Sequence, residues 1–109
     1  MYEYKATLIS VVDGDTIHAA IDLGFDQWVN KTLRFTGINA PELPTPEGVA
    51  AKAFVVASLD AASNTFVITT EKDHREKYGR YLATLWLPNQ NVSLNQQMVN
   101  EGFAVPYNG

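Results

Sequence analysis

The chain of 109 residues contains no cysteine. That excludes a disulfide framework and any thiolate metal site, and it leaves the redox compartment open. No apolar run approaches the roughly 20 residues that a membrane-spanning helix requires. Residues 1–5 lack a basic stretch leading into an apolar one, so no signal peptide is expected. The expectation for the chain as given is therefore a cytoplasmic location, with a secreted mature form as the alternative. Positive charge is also scarce. Eight Lys and Arg against twelve Asp and Glu leave a formal charge of −4, which argues against generic nucleic-acid binding through a basic surface. The distribution softens that objection, because Lys72, Arg75, Lys77 and Arg80 fall within nine positions.

What the chain does contain is enough apolar material, 46% of residues, for one core and no second one. Residues 1–109 are expected to form a single domain. Residues 3–12 are rich in Thr, Ile and Val and read as a strand ended by Asp13-Gly14. From Thr16 the pattern alternates, with Ile17, Ala19, Ile21 and Leu23 on one face. Residues 24–30 read as a loop, and 31–38 as a third strand with Leu33 and Phe35 opposite Arg34, Thr36 and Ile38. Pro41, Pro44 and Pro46 then forbid regular pairing. Residues 47–62 follow helical spacing through Val49, Ala53, Phe54, Val56, Ala57 and Leu59, with Thr45 as N-cap and Pro46 at the first helical position. Residues 66–69 and 81–86 read as strands flanking a charged loop at 71–80. Ser93 with Gln96 forms a capping-box pattern opening a second helix through Leu94 and Met98, stopped by Gly102. The order β-β-β-α-β-β-α is a mainly β (α+β) chain, a five-stranded OB-fold barrel with two helices.

Asp13-Gly14 is by itself a hairpin turn. Asp15 adds something, since a turn does not call for a second acid after the glycine. A calcium loop of the EF-hand kind fails, because it requires a glycine and then a glutamate where this chain has His18 and Gly24. Arg34 within an apolar strand is either a solvated outer-face arginine or a fork aimed at phosphate oxygens. Glu42 follows Pro41, which would fix the direction of its carboxylate; an exposed loop glutamate is the plainer reading. Residues 75–80 could be a solvated loop, or an aromatic among cations able to stack a base and grip a backbone. His18 and His74 have no neighbours at metal-ligand spacing, and neither receives a role.

Taken together, Val12-Asp13-Gly14-Asp15-Thr16, then Leu33-Arg34-Phe35-Thr36-Gly37-Ile38-Asn39-Ala40-Pro41-Glu42, then Lys77-Tyr78-Gly79-Arg80 resemble the staphylococcal nuclease (thermonuclease) family. Leu94-Asn95 and Glu101-Gly102-Phe103-Ala104 extend the similarity, which runs from about residue 5 to Tyr107. The resemblance implies an OB-fold and calcium-dependent hydrolysis of DNA and RNA, leaving 3′-phosphate ends. It also implies roles. Asp15, Asn39 and the Ala40 carbonyl would hold Ca2+, with Asp13 an acid just behind them. Glu42 would be the general base, and Arg34 and Arg80 would hold the scissile phosphate. Lys77 and Tyr78 would lie near the neighbouring phosphate, and Tyr107 beside a base.

Two departures from the family pattern carry expectations. Asn39 stands where the family usually has a second metal-binding aspartate; it offers an amide oxygen without charge, so metal binding should be weaker. Family members often continue into a third helix, whereas this sequence stops at Gly109. The expectation is a barrel less buttressed at that end, or one covered there by a partner. The competing reading is a nuclease-like barrel that binds nucleic acid or protein without hydrolysing it.

Overall fold

In the computed structural model, which describes residues 2–70 and 80–107, the chain forms a closed barrel of five strands closed off by helices. β1 (Tyr2–Asp13), β2 (Thr16–Asp22) and β3 (Trp28–Phe35) make an antiparallel meander. A two-residue strand, β4 (Ile38–Asn39), precedes α1 (Pro46–Ala61). Then come β5 (Thr65–Thr70), β6 (Tyr81–Trp86), α2 (Leu94–Asn100) and a second two-residue strand, β7 (Val105–Pro106). The barrel runs β1-β2-β3-β6-β5 and returns to β1. β3 and β6 are parallel; every other barrel pairing is antiparallel. This is the OB-fold expected from the sequence.

Closure depends on β1, which pairs with β2 along one edge and with β5 along the other. Its register against β2 shifts between Leu8 and Ser10 and again between Val11 and Asp13. Such irregularities bend and coil a strand, which is what a long strand shared by two sheet edges needs. Alternation then fills the interior. Ile17, Ala19, Ile21, Leu33, Phe35, Phe66, Ile68, Ala83 and Leu85 are all buried and form one cluster with Ala51, Val55 and Leu59 of α1 and Leu94 and Met98 of α2. At about 25 cal/mol per Å² of apolar surface, this burial is the main force closing the barrel.

Both helix starts follow the sequence. The Thr45 side chain accepts from Gly48 N at 3.0 Å with Pro46 at the first position, and Ser93 accepts from Gln96 N at 3.1 Å. The capping box is only half made, because the Gln96 side chain donates to Asn100 Oδ1 instead of returning to Ser93.

Three local expectations are corrected. The third strand begins at Trp28, inside the expected 24–30 loop, and ends at Phe35. Thr36-Gly37 turns the chain there, so Ile38 is buried in a separate strand and does not share the outer face with Arg34. Leu23 is exposed, lying beyond the end of β2. The buried face of α1 is Gly48, Ala51, Val55 and Leu59; Val49, Ala53, Val56 and Ala57 are exposed. That helix is apolar nearly all round, so periodicity could not single out its inner stripe. Among the described residues, no helix is long and apolar enough to cross a membrane.

Candidate active site

The β1–β2 turn, the β3–β4 turn and the segment leading into α1 meet at one end of the barrel. Gly14 makes the meeting possible. A Cβ built there would lie 2.7 Å from Ala51 Cβ and 2.9 Å from Ala40 Cβ, so the turn packs directly on α1 and on residue 40. Gly48 acts likewise one turn earlier in α1. Any Cβ at that position would collide with the carbonyl of Glu42, so the first turn of α1 rests on the backbone of the preceding loop. Glu42 O also accepts from Thr45 N at 3.2 Å and from Thr45 Oγ1 at 2.5 Å.

These contacts bury Asp15 to 7% exposure and surround its carboxylate with donors. Oδ2 accepts from Ala40 N at 2.9 Å and lies 3.4 Å from Arg34 Nη1, while Oδ1 accepts from Thr16 Oγ1 at 3.1 Å. Arg34 is itself held at three points. Besides Asp15, Nη1 donates to Phe35 O at 3.2 Å, and Nη2 donates to Asn39 Oδ1 at 3.1 Å. Asp15, Arg34, Asn39 and Ala40 are therefore in one cluster. Asp13 stands behind it, accepting from Asp15 N through Oδ1 at 3.1 Å. Burial raises the Asp13 pKa above its ordinary value, and the neighbouring Asp15 carboxyl adds to the rise.

The oxygen set can be weighed as a cation site. Asp15 carboxylate, Asn39 amide oxygen and Ala40 carbonyl are all hard donors, of the kind calcium takes. Only one carries charge, and the Arg34 guanidinium lies against two of the three. Among the described residues no group of three or more His, Cys, Asp or Glu is placed to hold a metal. The donor atoms are of the kind a hard cation takes, with one charge among them and Arg34 bound to two of the three groups.

The other expected residues lie at varying remove. Glu42 is exposed, and among the described residues its carboxylate has no hydrogen-bond partner. Arg80 is half-buried just before β6. In the chain it stands two residues ahead of Leu82, the register partner of Arg34. Lys77 and Tyr78 lie outside the described residues. Tyr107 is exposed, and its backbone N donates to Gly37 O at 2.8 Å, next to Asn39.

Sequence reasoning missed three supports of this cluster. β7 pairs with β4, setting Val105 against Asn39 and Pro106 against Ile38. The buried Asn95 side chain accepts from Leu85 N at 3.0 Å and donates to Thr36 O at 2.9 Å and Ala83 O at 3.2 Å, tying α2 to β6 and to the β3–β4 turn. A polar residue at an apolar-looking helix position was the available signal. Thr16, 2% exposed, clamps Asp15 from its own strand.

Known proteins resemble this chain along nearly its whole length. It is 26% identical over 95% of its length to an uncharacterized protein of Methanocaldococcus jannaschii, 59% of which it covers. It is 30% identical to Protein ParB of Escherichia coli, over 96% of the chain and 58% of that protein. Against Thermonuclease of Staphylococcus hyicus it is 30% identical, over 94% of the chain and 59% of the relative. The chain thus spans a little under three-fifths of the length of the curated relatives it matches. Residues 32–108 match the family described as staphylococcal nuclease homologues, a stretch that includes Arg34, Asn39, Glu42 and Arg80. With that match covering most of the chain, the chain belongs to the staphylococcal nuclease homologue family.

Proposed function

We propose that residues 1–109 form one nuclease domain that hydrolyses phosphodiester bonds of DNA or RNA with Ca2+ as cofactor. The observation that carries this reading is Arg34, whose guanidinium lies 3.4 Å from the Asp15 carboxylate and 3.1 Å from the Asn39 amide oxygen. A fixed cationic fork beside hard oxygen donors is what a phosphate and a divalent ion require together.

Asp15, Asn39 and the Ala40 carbonyl would hold the ion. When bound, Ca2+ polarises a phosphoryl oxygen and offsets its charge. Arg34 and Arg80 bind the scissile phosphate and stabilise the negative charge that builds on its equatorial oxygens. Glu42, exposed on a loop whose backbone is tied to Thr45, accepts a proton from the attacking water. The water oxygen bonds to phosphorus, the bond to the 5′-oxygen breaks, and that oxygen takes a proton from solvent, leaving a 3′-phosphate. Lys77 and Tyr78 extend the grip along the strand, and Tyr107 lies beside a base. Asp13 orients the Asp15 turn through its bond to the Asp15 amide.

The second reading is a nuclease-like barrel that binds nucleic acid or protein without cleaving. The same Arg34–Asn39 bond favours it, since a single charged ligand and an engaged arginine weaken the metal site. One experiment separates the two. Single-stranded DNA is incubated with the protein and graded calcium, with a chelator control, and again with Glu42→Gln. Cleavage that requires metal and disappears in the variant supports the enzyme. Binding with no cleavage at millimolar calcium makes it a binding module.

A further inference from the structure

A cleft of about 490 Å³ lies between α1, the segment after β6, and α2. The cleft is open, and most of the residues along it are exposed. It is bordered by Phe54 from α1, Gln90, Asn91 and Val92 from the segment, Gln97 and Asn100 from α2, and Glu101 just after it. None of these belongs to the Asp15 and Arg34 cluster.

Its chemistry is also different. Among the described residues, four carboxamides and one carboxylate border it, and no Lys or Arg does. Those residues offer nothing to neutralise an anion and one group that repels it, so they favour an uncharged occupant over phosphate. Three of the four amides are held in defined attitudes. Gln97 Nε2 donates to Gln90 Oε1 at 2.5 Å and to Val92 O at 2.9 Å, while Asn100 Oδ1 accepts from Gln96 Nε2 at 2.9 Å. Among the described residues this leaves the Gln97 oxygen and the amide nitrogens of Gln90 and Asn100 without partners. Fixed acceptors and donors therefore lie side by side. Phe54 is braced by Phe103, with ring centroids 4.6 Å apart and planes 23° apart, so the ring bordering the cleft is also held in place.

An uncharged planar ligand with donors and acceptors along one edge would suit these groups. The Asn91 amide, with both ends free among the described residues, can pair with the N6/N7 edge of adenine, and the Glu101 carboxylate can accept from an exocyclic amino group such as that of cytosine. Unpaired bases are read in this way, stacked on an aromatic ring. We propose that the cleft is a binding site for an amino-bearing nucleobase, adenine or cytosine, which it distinguishes from uracil and from the phosphate of a nucleotide. The base would come from a free nucleoside or from an unpaired stretch of a strand. The site does not rest on the nuclease reading.

The test follows side-chain amide resonances of Gln90 and Gln97 in chelator while adenosine, cytidine, uridine, adenosine monophosphate, glucose or an adenine-only oligodeoxynucleotide is added. Adenosine and cytidine should shift them saturably, with uridine at least about fivefold weaker. The monophosphate should bind more weakly than adenosine, and Glu101→Gln should narrow that gap. Gln97→Ala and, separately, Asn91→Ala should weaken adenosine binding at least about fivefold with an unchanged circular dichroism spectrum. Saturation at a lower concentration of oligonucleotide than of adenosine assigns the site to a base within a strand; the reverse order assigns it to the nucleoside. Arg34→Ala should leave all of these shifts intact, which keeps the result separate from the fate of the nuclease reading. The proposal is overturned if no shift occurs by about 10 mM adenosine. It is equally overturned if uridine or glucose matches adenosine, or if neither alanine variant weakens binding.

Discussion

Asp15 and Glu42, the two carboxylates nearest the proposed chemistry, are built in opposite ways. Asp15 is nearly buried, and Ala40 N, Thr16 Oγ1 and Arg34 all reach its oxygens. Glu42 is exposed, and only its backbone is restrained. The contrast separates holding from reacting. A group that holds a cation and an arginine in place needs permanent donors that fix its orientation inside the protein. A group that takes a proton from water must face solvent, and loses little by being free to move. The fold therefore spends its rigidity on one side of the site and leaves the other side open.

The largest expected effect breaks the Glu42 side alone. Glu42→Gln should lower the cleavage rate by about 10²–10⁴-fold with a thermal midpoint unchanged, because no described contact of its carboxylate is lost. Arg34→Ala tests the opposite side. Turnover should fall at least about a hundredfold, and here the melting temperature should fall too, since Asp15 is left nearly buried without its cation. If the two variants melt alike, the proposed difference between the sides is wrong.

The glycines sharpen the same comparison by moving backbone instead of removing a side chain. Gly14→Ala forces apart the β1–β2 turn, Ala40 and Ala51, and should destabilise by about 1–3 kcal/mol in chemical denaturation. Asn39→Asp adds the charge that the Asp15 side lacks, and the calcium needed for half-maximal cleavage should drop about tenfold. An unchanged calcium requirement would remove residue 39 from the ion.

The smallest effect concerns Asp13. Its folded pKa is raised by burial and by the Asp15 carboxyl above the ordinary 3.8. Raised values favour the protonated form, so any stabilisation is complete below pH 3.8 and is lost as pH climbs through the folded value. Asp13→Asn, melted in chelator, should therefore be more stable than the parent at neutral pH. The gain should be under about 1 kcal/mol, since the group is only half-buried, and should vanish in acid.

Much of this molecule could be read along the chain because the signals are local. Thr45 and Ser93 cap helices through bonds to residues three positions on. Ile17, Ala19, Ile21, Leu33 and Phe35 alternate because successive strand side chains point to opposite faces. The inner face of α1 was not legible, since apolar residues surround that helix. Nor was the role of Asn95, whose partners lie 10, 12 and 59 positions away.

Alternation, caps and turn residues were enough to specify the five barrel strands and the two helices, because each depends on neighbours within a few positions. The Arg34–Asp15–Asn39 cluster, the β4–β7 pairing that carries Asn39, and the carboxamide cleft depend on contacts between distant segments. They exist only because strand pairing and helix packing bring distant segments together, as the close approach of Gly14 to Ala40 and Ala51 shows beside Asp15. No periodicity encodes that approach.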